Sequence, residues 1–173
     1  AKDNPSRSGR SSAPRISVVV VIYASGPTLA DCLGALKAQT FASYELILVD
    51  NASSDRVAQA AAEADPAILL IENAENLGFA AAVNQAAARA RGEWLVLLNP
   101  DAYPHADWLE RLVAAADANP KVRSFTSRQL MADDPSRLDG LGDVMSIAGY
   151  PFRGGYTHPN PGALGPGWVF SAC

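Results

Sequence analysis

From residue 16 to residue 126 the chain alternates: short β-branched or aliphatic runs of strand length are each followed by a stretch with helical spacing. Ile16–Ile22 is an almost unbroken run of valine and isoleucine, the composition of a strand covered on both faces and therefore central in a parallel sheet. Pro27 and Thr28 then open a helix, with Thr28 at the N-cap, Asp31 three residues on and Leu29, Leu33 and Leu36 as its apolar stripe; its end is expected near Gln39. Glu45–Val49 is a second strand, and Ser53, Ser54 and Asp55 offer capping oxygens to an alanine-rich helix that Pro66 stops. Ala67–Ile71 reads as a third strand, Gly78–Arg91 as a helix closed by Gly92, and Glu93–Leu98 as a fourth strand. A helix from about His105 to Ala118 places Trp108, Leu109, Leu112 and Val113 on one face, and Val122–Thr126 is the expected fifth strand. Alternation this regular arises from crossover connections that build a mostly parallel sheet with helices on both faces, so the expected class is α/β and Rossmann-like.

A chain of 173 residues, 49% hydrophobic and 18% charged, can bury the core of one such domain. We place that domain at residues 16–130. Residues 1–15 are rich in Ser, Pro, Gly and Arg, carry Lys2, Arg7, Arg10 and Arg15 against Asp3 alone, and read as a disordered basic arm. Residues 131–173 lose the pattern to Gly, Pro and Asp, which marks a functional loop or the start of a region whose ordering partner is absent. The net charge of -4 excludes the basic footprint of a nucleic-acid binder. Cys32 and Cys173 have neither CxxC spacing nor neighbouring histidines, which argues against a zinc site or a disulfide-stapled secreted fold. The longest apolar run falls far short of the roughly 20 residues that span a bilayer. The chain therefore reads as soluble and cytoplasmic, with peripheral attraction of the arm to an anionic membrane surface as its functional alternative to a solvated tail.

In an open parallel sheet, ligands bind beyond the carboxyl ends of the strands. Here those ends carry Tyr23-Ala24-Ser25, Asp50-Asn51, Asn73 with Asn76-Leu77-Gly78, and Asn99-Pro100-Asp101. Asp50 ends four apolar residues and suits either a base or ribose contact or a cap for the following helix, and spacing alone does not choose. Asn99-Pro100-Asp101 stands where a divalent cation on a diphosphate would be held, yet taken alone the tripeptide reads as a turn. Gly78 allows backbone to approach a phosphate or sugar closely, or serves steric fit only. No GxGxxG, P-loop or Gly-x-Ser-x-Gly pattern occurs, and His105 and His158 lack a nucleophile partner. Trp94, Trp108 and Trp168 read as core residues, with Trp168 also placed to line a pocket.

Taken together, Val18–Tyr23, Leu33–Thr40, Glu45–Asp55, Asn76–Asn84 and Leu97–Asp101 resemble the second and largest family of inverting glycosyltransferases, and within it the rhamnosyltransferase-type bacterial members. The resemblance implies a GT-A fold and transfer from a nucleotide-diphosphate sugar, dTDP-rhamnose or a UDP-sugar, to a glycan or lipid-linked acceptor. It implies that Asp50 contacts the base, that Tyr23 and Ala24 form the loop beside it, and that Asn76, Gly78 and Asn84 border the nucleotide and its sugar. Asp101 matches the last acid of the family's DxD motif, the ligand of a Mg or Mn ion. Asn99 replaces the first acid; it can still hydrogen-bond ribose or sugar, but one carboxylate fewer weakens metal affinity. Asp139–Asp143 and Arg153–Gly155 resemble the glycine-rich stretch after the donor half. The family's catalytic base, commonly the aspartate of an acidic pair, is expected beyond Cys173, so this chain is expected to bind donor without efficient transfer. The competing classes are a non-catalytic nucleotide-binding module and a nucleotidyltransferase, the latter disfavoured because Ala24–Pro27 lacks the Arg or Lys that holds a triphosphate.

Overall fold

In the computed structural model the run Ile16–Ile22 forms β1 and takes the position that its two apolar faces require, inside a sheet. It pairs in parallel with β2 (Tyr44–Asp50) on one side and β4 (Trp94–Leu97) on the other, and β2 pairs in parallel with β3 (Leu69–Glu72). The order is β3-β2-β1-β4, so the chain reverses its direction of travel across the sheet at β1. Residues 13–26, 28–145 and 150–162 are described; the expectations for the arm before residue 13, for Pro27, Trp168 and Cys173 fall outside them.

Val18, Val19, Val20 and Ile22 are at most 1% exposed, and each such side chain contributes about 1.5–3 kcal/mol of burial. Alternation then decides which helix each residue meets. Val19, Ile47 and Val49 pack with Ala82 and Ala86 of α3 (Phe79–Ala87) on one face. On the other face α1 (Thr28–Lys37) and α2 (Val57–Ala64) stand over Leu46. Helices thus cover both faces, as the β-branched runs require. No helix among the described residues is long and apolar enough to cross a membrane.

At the amino ends of the strands a polar lock sets the approach of β4. Ser17 is fully buried; its hydroxyl donates to Glu45 Oε1 at 2.6 Å and accepts from Gly92 N at 2.9 Å. Glu45 also accepts from Arg91 N at 2.6 Å and pairs with the Arg91 guanidinium at 2.7 Å. Gly92 was expected to close a helix, but α3 ends at Ala87 and Gly92 instead lies against β1, where a Cβ would sit 2.4 Å from Ser17 N.

The chain divides into two compact units, one up to Arg111 and one from Leu112 on. A helix α4 (Trp108–Ala118) follows, and its first turn is met by a side chain from another element. Gln39 supplies it from the far end of α1, accepting from Leu109 N at 3.0 Å and donating to His105 O at 2.7 Å, which moves the start of the helix later than His105. In the second unit Val122–Thr126 forms no strand: Val122 N closes a turn on Asn119 O at 2.9 Å, and a β-prone run becomes a strand only where a ladder partner lies alongside. Short antiparallel pairs follow, β5 (Gln129–Leu130) with β6 (Leu138–Gly140) and β7 (Asp143–Met145) with β8 (Pro151–Arg153), in a stretch read from sequence as irregular.

Candidate functional site

The loops after β1 and β4 leave neighbouring strands on opposite sides of the reversal, which is where an open α/β sheet forms a crevice. Backbone bonds continue the sheet into the loops: Asn51 N donates to Ile22 O, and Asn73 N to Asp50 O, each at 2.8 Å. The carboxyl end is therefore a rigid platform carrying one polar loop per strand.

The loop after β1 exposes Tyr23 (60%) and turns at Ala24, whose φ is 50° and whose N–H donates to Ser53 Oγ at 3.1 Å. Gly26 N donates to Asp55 Oδ2 at 3.1 Å, so the β1 and β2 loops are fastened to each other twice. Ala52 (φ 67°) and Arg56 (φ 55°) are also left-handed, making three of the four positive-φ non-glycine residues among those described. Each costs of the order of 1–3 kcal/mol and persists only where the surroundings impose it. Arg56 is the residue that precedes α2 and its own side chain makes no capping bond, whereas Asp55 Oδ1 accepts from Val57 N, the first N–H of the helix, at 3.3 Å.

Asp50 is 2% exposed. Its Oδ1 accepts from Ser53 N at 2.9 Å and its Oδ2 from Gln59 Nε2 at 3.0 Å. Asp50 thus fastens its own loop and the Gln59 side chain rather than capping the N-terminus of α2, whose first N–H goes to Asp55. Two of the carboxylate's roughly four acceptor positions are not used by these bonds. Behind it runs a chain of amides: Asn51 Nδ2 donates to Gly78 O at 3.3 Å, Asn73 Nδ2 to Asn51 Oδ1 at 2.9 Å, and Asn73 exchanges bonds of 2.9 Å with Gln85 of α3. Asn76 Oδ1 accepts from Gly78 N at 2.9 Å, and Gly78, at φ 81° with open space at its Cβ position, starts α3. Its conformation is what requires glycine there. Asn84 is not joined to this group: it stands exposed on the second turn of α3, and the network runs through its neighbour Gln85.

On the other side of the crevice Asn99 and Asp101 are exposed in a turn that Ala102 N closes on Asn99 O at 3.1 Å. Cys32 of α1 donates its thiol to Asn99 O at 3.6 Å. Burial, helped by the charge of Asp101, pushes the Cys32 thiol up to about 11, so it stays protonated and holds the loop as a donor. Among the described residues no three His, Cys, Asp or Glu side chains gather as a metal cage. One exposed carboxylate beside an amide carbonyl does fit a cation that takes most of its shell from a diphosphate and water. A groove of about 630 Å³ between α1 and α2 shares only Gly26 with these loops and is a separate feature.

Tyr23, Ala24, Asp50, Asn76, Gly78, Asn99 and Asp101 therefore all sit at one end of the sheet. Gln59 and Gln85, whose amides come from helices, carry no signal of their own in the sequence beyond Gln85 standing immediately after the Asn76–Asn84 segment. The class this architecture defines is a nucleotide-diphospho-sugar transferase fold of GT-A type. The chain belongs to glycosyl transferase family 2, whose model matches residues 17–141.

Among its relatives are a glycosyltransferase, AglE, of Haloferax volcanii, 34% identical over 60% of this chain and 36% of its own length. An N-acetylglucosaminyl-diphospho-decaprenol L-rhamnosyltransferase of Mycobacterium tuberculosis is 32% identical over 62% of this chain and 38% of its own. Among solved structures, the mannosyltransferase PcManGT of Pyrobaculum calidifontis, in complex with GDP-Man and Mn2+, superposes with a TM-score of 0.62 at 31% identity, over 69% of this chain and 36% of that one. TarS of S. aureus in complex with UDP-GlcNAc shares the fold at a TM-score of 0.58 and 21% identity, over 67% of this chain and 38% of that one. The chain thus spans well under two thirds of the length of these relatives.

Proposed function

We propose that this chain carries the donor-binding part of an inverting glycosyltransferase that takes a nucleoside-diphosphate sugar at the carboxyl ends of β1, β2 and β4. The observation that carries the reading is the fastening of the β1 and β2 loops around the nearly buried Asp50, across the crevice from Asp101. Asp50 accepts an N–H from the base edge-on, because so little of its carboxylate is open. Tyr23 and Ala24 flank the base, while Asn76 and Gly78 border ribose and sugar, with Asn84 at the margin. Asp101, assisted by the Asn99 carbonyl, holds a Mg or Mn ion, which when bound offsets the charge of the leaving diphosphate. The reading assigns no residue as the base that deprotonates the acceptor.

Bound GDP-Man in one relative and UDP-GlcNAc in another support a nucleotide-sugar donor. The name of the M. tuberculosis relative supports a rhamnosyl donor and a lipid-linked acceptor; an acceptor of that kind would in turn place the chain peripherally at a membrane, in the assembly of a cell-envelope glycan. A thermal-shift panel of UDP, dTDP, GDP, CTP and ATP, with and without Mn2+, tests this. A nucleoside diphosphate at a hundred times its Kd should add about 2.7 kcal/mol, or roughly 5–11 °C. Asp50→Ala should abolish the shift, and Asp101→Ala should make it independent of metal. Indifference to every nucleotide would favour a non-catalytic module instead.

A further inference from the structure

Asp50 and Glu72 are register partners on adjacent parallel strands, which brings two carboxylates side by side at the carboxyl end of the sheet. Gln59 reaches between them from α2. Its Nε2 donates to Asp50 Oδ2 at 3.0 Å and to Glu72 Oε1 at 2.7 Å, which uses both amide protons. The amide oxygen is buried with no hydrogen-bond partner among the described residues. A carbonyl left so is unfavourable, so the amide's orientation is imposed by the two carboxylates it serves. Ser53 N fixes the other oxygen of Asp50 at 2.9 Å.

We propose that Gln59 is a positioning residue for donor recognition: it bridges Asp50 and Glu72 without adding charge and so fixes the Asp50 carboxylate in the orientation that accepts from the nucleobase. The inference rests on the reading of Asp50 as the base contact. An apolar residue at 59 would leave two neighbouring carboxylates to repel each other, and the Asp50 side chain would turn away from Glu72. A glutamine at 72, the register partner, would place a donor beside Asp50 again and remove one of the two charges. A side chain that only fastens α2 to the sheet would show neither base dependence nor this rescue.

The test is calorimetric titration of the full chain with UDP, dTDP and GDP, and separately with pyrophosphate and Mn2+. The proteins are wild type, Asp50→Ala, Gln59→Leu and the double variant Gln59→Leu/Glu72→Gln, each checked by circular dichroism. Gln59→Leu is expected to weaken the preferred nucleoside diphosphate about tenfold and to leave pyrophosphate unchanged, and the added Glu72→Gln to restore most of the loss. If Gln59→Leu does not fold, Gln59→Met keeps the length and reads the same effect. Equal loss for nucleotide and pyrophosphate, or no rescue by Glu72→Gln, overturns the proposal. Loss in Asp50→Ala with none in Gln59→Leu overturns it alone, whereas indifference of Asp50→Ala also removes the base-contact reading.

Discussion

Gly92→Ala is the substitution whose cost the structure states most directly. The added methyl carbon would lie 2.4 Å from Ser17 N, 2.6 Å from the Ile16 carbonyl carbon and 2.8 Å from Ser17 Oγ. Non-bonded carbon contacts settle at about 3.5–4.0 Å, and two of these three atoms are backbone of β1, clamped between β2 and β4. The entry to β4 must therefore move out by about 1 Å, which strains the 2.9 Å bond from Gly92 N to Ser17 Oγ and the 3.0 Å bond from Trp94 N to Arg15 O. Overpacking costs about 1–3 kcal/mol and each weakened bond up to about 1 kcal/mol, so a total near 3 kcal/mol is expected. For a chain of this size that lowers Tm by about 6–12 °C. Circular-dichroism melts beside Gly34→Ala provide the control. Gly34 lies in α1 with nothing within 4 Å of its Cβ position, and alanine there should stabilise by up to about 1 kcal/mol. A Gly92→Ala protein melting within about 1 °C of wild type would refute the reasoning.

Three further outcomes follow from single groups. Burial alone would raise the Glu45 carboxyl, but hydrogen bonds from Ser17 and Arg91, with the Arg91 charge, hold it below its usual 4.5. A depressed carboxyl contributes stability that is present above its unfolded pKa and lost as pH falls through the folded value. Glu45→Gln should therefore be less stable at neutral pH, with a flatter urea midpoint between about pH 5 and pH 3; an unchanged slope there would contradict the lock. Cys32, buried and raised to about 11, should react with a thiol reagent in a Cys173→Ser background only as fast as the protein unfolds, and rapid labelling of the native state would count against it. Asn99→Asp restores a second carboxylate beside Asp101 and should tighten Mn2+ binding in the presence of UDP by about tenfold, measured by electron paramagnetic resonance; no change would remove Asn99 from the cation's surroundings.

Much of the site was legible because strand ends were. The β-branched run of β1 and the aliphatic runs of β2 and β4 mark their own limits, so the sequence alone places Tyr23, Ala24, Asp50, Asn99 and Asp101 at carboxyl ends. Helix limits were less legible. The Ala-rich stretch after Gly78 has helical composition up to Arg91, yet α3 stops at Ala87 because the chain must turn in time to bring Gly92 against Ser17. Val122–Thr126 has strand composition and no ladder, and Arg56 rather than a serine precedes α2.

The sequence by itself determined the elements and their order, because the contacts that create a 2.0 or 3.6 residue period lie a few residues apart and are dictated by backbone geometry. Only the tertiary structure decided that Gln59 lies between Asp50 and Glu72, that Asn51, Asn73 and Gln85 connect the Gly78 turn to the strand ends, and that Ser17 meets Gly92. Those partners come from different elements brought together by the crossovers, and no local period records where a crossover will return the chain.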